Sequence, residues 1–277
     1  MLKDATIQML CEYGIRLDPA LDEQQLVDPF AIRALVREAE IEGADTVLEV
    51  GAGAGNITVQ LAAQAGRVIA VEKNPKFMKL LEDRMEKLGN VQVINDDALI
   101  MVLPRFTKLV SNLPYGICEA LLRRLIHHGF ERASLIVSST FADIITAARG
   151  SPRYSRLTLT SNLFYEVVGV AEVKPESYYP PPSVSTSMVT LEPRDPEDHA
   201  GDVLRRVLVR EGMKLRNALR EALIASSPGY GGPETKRGAR GLISMMGIEE
   251  ALLERRVARL SLEDLEETSR RMEPHLD

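Results

Sequence analysis

The sequence predicts an α/β protein, a doubly wound parallel sheet followed by a small helical domain. Three observations carry that prediction. Short runs rich in β-formers alternate with helical patterns from residue 46 to residue 138. A glycine turn, Gly51-Ala52-Gly53-Ala54-Gly55, joins the first run to the helix after it. Residues 197–277 carry helical periodicity, with a single interruption.

Residues 1–18 read as an amphipathic helix carrying Ile7, Met9, Leu10 and Ile15, and Asp18-Pro19-Ala20-Leu21-Asp22 reads as a turn. Asp28 is expected to cap a second helix with Pro29 at its first position, running to about Glu42 and ending at Gly43. Residues 46–50 form the first strand, and 68–71, ending at Glu72, the second. Asn74-Pro75 opens a helix to Leu88. Strand 91–94 then ends in Asn95-Asp96-Asp97-Ala98, and strand 108–111 ends in Asn112-Leu113-Pro114-Tyr115. A helix at about 117–128 precedes the fifth strand, 134–138. Beyond it come a helix near 140–148, an apolar stretch at 154–164, and strands at 167–173 and 186–191. The proline-rich stretch 175–182 cannot be helix and is expected to be an extended loop. Residues 192–196 read as a linker, dividing the chain into domains 1–193 and 194–277, and residues 226–233 are expected to interrupt the second domain's helices.

Composition narrows the function. The 277 residues hold one large domain and a smaller one, and 45% hydrophobic with 27% charged residues suits a globular protein in water. There is no apolar stretch long enough to span a bilayer and no signal-peptide pattern at the N-terminus, so a cytoplasmic location without a membrane partner is expected. Cys11 and Cys118 suggest no disulfide, and with four scattered histidines no metal site is expected. The net charge of −6 does not advertise a nucleic-acid binder, but it is unevenly spread. Residues 1–100 carry 10 Lys+Arg against 17 Asp+Glu, whereas residues 203–240 carry 9 against 3. That polarity suits a phosphate-holding face, and on charge alone it suits a solvated helix face equally.

The glycine turn is the first chemical signal. Residues without a Cβ let the backbone bend sharply and let a ligand approach, and Glu72, 21 residues after Gly51, suits a ribose diol because a carboxylate accepts both hydroxyl hydrogens. A dinucleotide site uses G-x-G-x-x-G. The G-x-G-x-G form here, preceded by the acidic Glu49, is more usual for S-adenosylmethionine. The second signal is Asn112-Leu113-Pro114-Tyr115. The exocyclic amine of adenine is a poor nucleophile because its lone pair is delocalised into the ring. An asparagine oxygen and a backbone carbonyl that accept from both N6 hydrogens draw the nitrogen toward tetrahedral geometry and aim the lone pair at a sulfonium methyl. Proline orients the carbonyl, and the tyrosine ring can stack on the base.

With these motifs the chain resembles the ribosomal RNA adenine N6-dimethyltransferases, over about residues 22–225, and most closely their archaeal type. The likeness rests on LEVGAGAGNIT, Glu72, DDAL at 96–99, SNLPYGI at 111–117, YSRLTLT at 154–160 and PESYYPPPSVSTSMVTLEP at 175–193. It implies a Rossmann-like class I S-adenosylmethionine methyltransferase domain with a small C-terminal helical domain. It also implies dimethylation of adenines in small-subunit rRNA, within the rRNA or a pre-ribosomal particle, by a monomer. The implied cofactor residues are Gln24, Leu26, Gly51, Gly53, Glu72, Lys73, Asp97, Ala98 and Asn112, with Asp97 on the cofactor's adenine amine. The implied catalytic set is Asn112, Leu113, Pro114, Tyr115 and Tyr178, the two tyrosines sandwiching a flipped adenine. A basic helix carrying Arg205, Arg206, Arg210, Lys214, Arg216 and Arg220 is implied to contact phosphate. The chain departs from the family at Glu23, where glutamine is usual, at Gln25, where an aromatic is usual, at Ser138-Ser139-Thr140 and at Glu211-Gly212. Those departures leave two alternatives open: a methyltransferase with a different acceptor, or a non-catalytic RNA-binding assembly factor.

Overall fold

The computed structural model describes residues 1–18 and 22–276. The turn expected at 18–22 therefore falls mostly outside the described residues. The chain forms two compact units, residues 1–146 with 166–193, and residues 147–165 with 194–277.

The first unit is built on a seven-stranded sheet: β1 (Thr46–Val50), β2 (Arg67–Glu72), β3 (Val91–Asn95), β4 (Lys108–Asn112), β5 (Arg132–Ser138), β6 (Tyr165–Val173) and β7 (Thr186–Pro193). The strand order is β3-β2-β1-β4-β5-β7-β6. Strands β1 to β5 are parallel and β7 runs antiparallel to β5. Parallel strands are covered on both faces, which explains why β1 and β2 read as apolar runs with Val47, Leu48, Val68 and Ala70 fully buried. Helices Pro29–Glu38 and Asn56–Ala62 pack Leu35, Val36, Ile57 and Leu61 on one face, and Phe77, Leu80 and Leu81 join a second cluster with Ala70. The chain reverses its winding between β1 and β4. Their carboxyl ends, Val50 and Asn112, therefore flank the crevice where doubly wound folds take ligands.

Several boundaries differ from expectation. The first helix stops at Glu12, and the second ends at Glu38, with Glu40 rather than Gly43 taking positive φ (49°). The helix expected from residue 74 to 88 is a 3₁₀ turn, Pro75–Phe77, followed by Met78–Met85. The proline-rich stretch is not simply a loop. Pro175–Ser177 is a 3₁₀ turn, and Tyr178–Tyr179 pairs antiparallel with Gln25–Leu26. The Ser177 carbonyl also accepts from Val27 and Asp28 amides, so partners about 150 residues away give the stretch its conformation.

The second unit consists chiefly of helices Arg156–Phe164, His199–Leu208, Leu215–Tyr230, Lys236–Met245, Glu250–Leu253 and Leu262–Met272, around Leu204, Val207, Leu219, Leu223, Val257 and Leu265. The interruption expected at 226–233 begins only at Gly231 (φ 76°), and the helix continues through Ser226, Ser227, Pro228 and Gly229. Tertiary bonds hold that last turn. Buried Ser226 Oγ lies 2.8 Å from His199 Nε2, His199 Nδ1 lies 3.1 Å from the Leu276 carbonyl, and the imidazole stacks on Tyr230 at 4.6 Å. Replacing His199 by alanine removes both ring hydrogen bonds and the stacking, leaving Ser226 Oγ only its bond to the Leu223 carbonyl at 3.2 Å, and is expected to destabilise the unit by about 2–3 kcal/mol, read by urea unfolding.

Candidate active site

A cavity of about 470 Å³ opens at the carboxyl ends of β1, β2 and β4. Gln24, Leu26, Gly51, Gly53, Glu72, Lys73, Asp97, Ala98, Asn112 and Pro114 all line it. Leu113, Tyr115 and Tyr178 are absent from its wall. Leu113 is buried, with its amide donating to the Ile136 carbonyl at 3.0 Å.

The floor is the glycine turn. Gly51 and Gly53 have φ of 77° and 53°, a region that L-residues with side chains avoid, and a Cβ on Gly53 would lie 2.4 Å from Gln25 Oε1. The Gly53 amide donates to Glu72 Oε2 at 2.8 Å and the Asn74 amide to Glu72 Oε1 at 2.7 Å. Burial pushes the Glu72 carboxyl above its ordinary range, and these two amide bonds oppose the shift. The carboxylate is thus aimed before any ligand arrives, at the position that suits a ribose diol. Asp97 lies on the other side, at the tip of β3. Its carboxyl is held below the usual range by the Leu99 amide at 2.8 Å and by Lys73 Nζ at 2.9 Å.

A second group of candidate residues is at the tip of β4. Asn112 Nδ2 donates to the Gln24 carbonyl at 3.4 Å, which fixes the amide plane, while Asn112 Oδ1 is buried without a hydrogen-bond partner. The Tyr115 hydroxyl is likewise buried and unpartnered, and burial raises it above the usual phenol range. A buried unpaired acceptor costs about 1–3 kcal/mol, so it marks a place kept for a donor. Tyr178 is different. It is 1% exposed within the core, with its hydroxyl 2.9 Å from Thr186 Oγ1. Burial pushes its phenol up to about 12, and it presents no open ring face in this conformation.

The donor set and the glycine cradle fit a nucleoside-type methyl donor, and sequence comparison agrees. A profile of the ribosomal RNA adenine dimethylases matches residues 17–227. The chain belongs to that family. A relative from Methanothermobacter thermautotrophicus, "Probable ribosomal RNA small subunit methyltransferase A", is 34% identical over 97% of this chain and 95% of its own length. One of the same name from Thermococcus onnurineus is 36% identical over 70% of this chain and 71% of its own. Among solved structures, a dimethyladenosine transferase from Plasmodium falciparum superposes with a TM-score of 0.60 at 26% identity, covering 90% of this chain and 97% of that one. The 23S rRNA methyltransferase ErmE, at 24% identity and a TM-score of 0.58 over 90% of this chain and 99% of that one, shares the fold. The family's methyl donor is S-adenosylmethionine. The described residues contain no group arranged to hold a metal ion and no helix long and apolar enough to cross a membrane.

Other parts of this dimethylase's site were not recognised from sequence. Asn74 was visible only as a helix start, yet its backbone amide fixes Glu72. Gln25, noted as a departure, accepts from the Ala54 amide at 2.8 Å and so ties the N-terminal segment to the glycine turn. The basic helix implied by the resemblance is two helices, and its cations are engaged. Arg206 pairs with Asp202, Lys214 and Arg216 with Glu254, Arg216 also with Glu250, and Arg220 with Glu221. Arg205 and Arg210 donate to the Arg194 and Arg206 carbonyls.

Glu49 lies fully buried beneath the turn. Thr58 Oγ1 donates to its Oε2 at 2.6 Å, and Oε1 has no partner. Burial, opposed by the Thr58 bond, pushes its carboxyl up to about 8. The folded state therefore keeps a proton that the unfolded chain has lost, so wild-type stability falls as pH rises from the ordinary glutamate range toward 8. Glu49→Gln removes that slope. Urea unfolding from pH 5 to 8 is expected to show the variant gaining on wild type, by up to roughly 1.4 kcal/mol per pH unit in mid-range. Gly53→Ala strains the turn against Gln25. In calorimetry it is expected to weaken S-adenosylhomocysteine binding by at least about tenfold, the scale of 1–3 kcal/mol of backbone strain.

Proposed function

We infer that this protein transfers methyl groups from S-adenosylmethionine to N6 of adenines in small-subunit rRNA, two to each base. The observation that carries this reading is the unpartnered, buried Oδ1 of Asn112 at the edge of a cavity built for the donor. S-adenosylmethionine supplies an electrophilic methyl group. The chain's own residues do the rest. Glu72 and Asp97 hold the nucleoside end, the glycine turn admits close approach, and Gln24 fixes the Asn112 amide. Asn112 Oδ1 accepts one N6 hydrogen of the target. The Pro114 carbonyl already accepts from the Ile117 amide at 3.1 Å and from Cys118 Sγ at 3.7 Å, which leaves the Leu113 carbonyl as the second acceptor. Together they aim the amine lone pair, and the proton released after transfer is acidic enough to leave to water.

Tyr115, half-buried beside Asn112, is the stacking surface for the target base. A sandwich with Tyr178 requires the ribbon of residues 25–26 and 178–179 to move, because that ring is enclosed. Residues 1–193 act as the methyltransferase part and 194–277 as the RNA-contacting part, where Lys214 and Arg216 exchange their exposed carboxylate partners Glu250 and Glu254 for phosphate. Such exposed pairs contribute only about 0–1 kcal/mol each, so they yield readily to a polyanion. The same reading takes the enzyme as a monomer working in the cytoplasm on a pre-ribosomal particle.

The test is transfer of labelled methyl from S-adenosylmethionine to small-subunit particles that lack the modification, with naked rRNA and cell extract as parallel acceptors. Label is expected as dimethyladenosine in the particles, with kcat falling by about 10²–10³ in Asn112→Ala, the scale of one preorganised polar contact in a transition state. Label confined to other components of the extract would replace rRNA with a different acceptor. Cofactor binding without transfer to any acceptor would leave an RNA-binding assembly role.

A further inference from the structure

Glu23 stands where the family usually has glutamine, and it is one of the most enclosed acidic side chains of the first unit at 6% side-chain exposure. A carboxylate in such a place needs partners, and its two oxygens accept three hydrogen bonds. Its Oε2 accepts from Lys76 Nζ at 2.5 Å and from the Asp18 amide at 2.5 Å, and its Oε1 accepts from Asn74 Nδ2 at 2.8 Å. Its own carbonyl accepts from Gln25 Nε2 at 2.9 Å. Lys76 donates in addition to the Arg16 carbonyl at 2.9 Å. One carboxylate therefore joins the cavity-lining segment at 22–26 to the turn at 74–76, which lines the cavity as well.

That turn carries the second bond of the ribose-facing carboxylate. The backbone of Asn74 donates to Glu72 Oε1, and the Asn74 side chain is gripped from both ends, Nδ2 by Glu23 and Oδ1 by the Lys76 amide at 3.1 Å. Burial chiefly, and the Glu23 charge to a smaller degree, raise the Glu72 carboxyl, and Lys76 neutralises the nearer of the two acids. Glutamine could keep the Asn74 bond but would leave Lys76 without its counter-charge.

We propose that Glu23 is a positioning residue for ribose recognition: through Asn74 it holds Glu72 in the orientation that takes both hydroxyls of the cofactor, with Lys76 as its counter-charge. The proposal rests on the cofactor reading above and extends it to a residue outside the motif that faces the ribose.

The test compares calorimetric Kd values for S-adenosylhomocysteine and its 2′-deoxy analogue in wild type, Glu23→Ala, Glu23→Gln and Asn74→Ala. Wild type is expected to prefer the ribose compound by about tenfold or more, the scale of one hydrogen bond to a charged group. Glu23→Ala and Asn74→Ala are expected to bring that ratio close to one, while Glu23→Gln retains most of it. General loosening of the cavity would weaken both ligands alike, so an unchanged ratio in the alanine variants overturns the proposal. Asn74→Ala breaks the relay without exposing Lys76, and so gives the answer even where Glu23→Ala fails to fold. Wild type binding neither compound would overturn the cofactor reading, and this proposal with it. Wild type binding both compounds equally would overturn the proposal alone.

Discussion

A buried carboxylate accepting two backbone amides, Glu72 with Gly53 and Asn74, is the interaction from which the rest of the site follows. Carboxylates are expensive to bury, and this one is tolerated because both oxygens are hydrogen-bonded. The bond to Gly53 ties the turn after β1 to the tip of β2. It requires an amide pointing into the cavity, which the left-handed backbone of the glycine turn supplies. Gln25 then occupies the space that a Cβ at residue 53 would need, and it caps the next amide, Ala54. The cradle is complete without ligand, so little ordering cost falls on binding.

Against that satisfied network, three of the six buried side-chain atoms without a partner among the described residues lie around the site: Asn112 Oδ1, the Tyr115 hydroxyl and Glu49 Oε1. Two lie at the tip of β4 and one beneath the glycine turn, whereas both oxygens of Glu72 are engaged. The glycine-turn side of the cavity is preorganised by internal bonds, whereas the tip of β4 keeps buried polar atoms unpaired. That division fits a reaction whose difficulty is the geometry of a weak nucleophile rather than proton transfer.

The second unit keeps a cluster of cations paired within a chain of net charge −6. Lys214 and Arg216 are held by the exposed carboxylates of Glu250 and Glu254, which neutralise local repulsion without binding them tightly, whereas Arg206 pairs with the buried Asp202 and Arg210 donates to the Arg206 carbonyl. The departure at Glu211-Gly212 falls between two helices, so it shapes the break in the basic stretch rather than a helix face.

The strands of the parallel sheet, the glycine turn, the acidic tip of β2 and the Asn112–Tyr115 motif were legible in the sequence because each depends on short-range chemistry. Buried strands must be apolar, a sharp turn before a ligand needs glycine, and a proline after Asn-Leu fixes the local backbone. What only the tertiary structure decided came from contacts between distant residues. Tyr178 entered the core because its strand pairs with residues 25–26 and its hydroxyl reaches Thr186, neither of which the surrounding prolines announce. Pro228 stayed helical because His199 and Tyr230 close over the last turn. Glu23 became a buried hub because Lys76 and Asn74, more than fifty residues on, fold against it. Local sequence selects the backbone's conformations, but the partners that make burying a polar group tolerable are chosen by the packing of the whole chain.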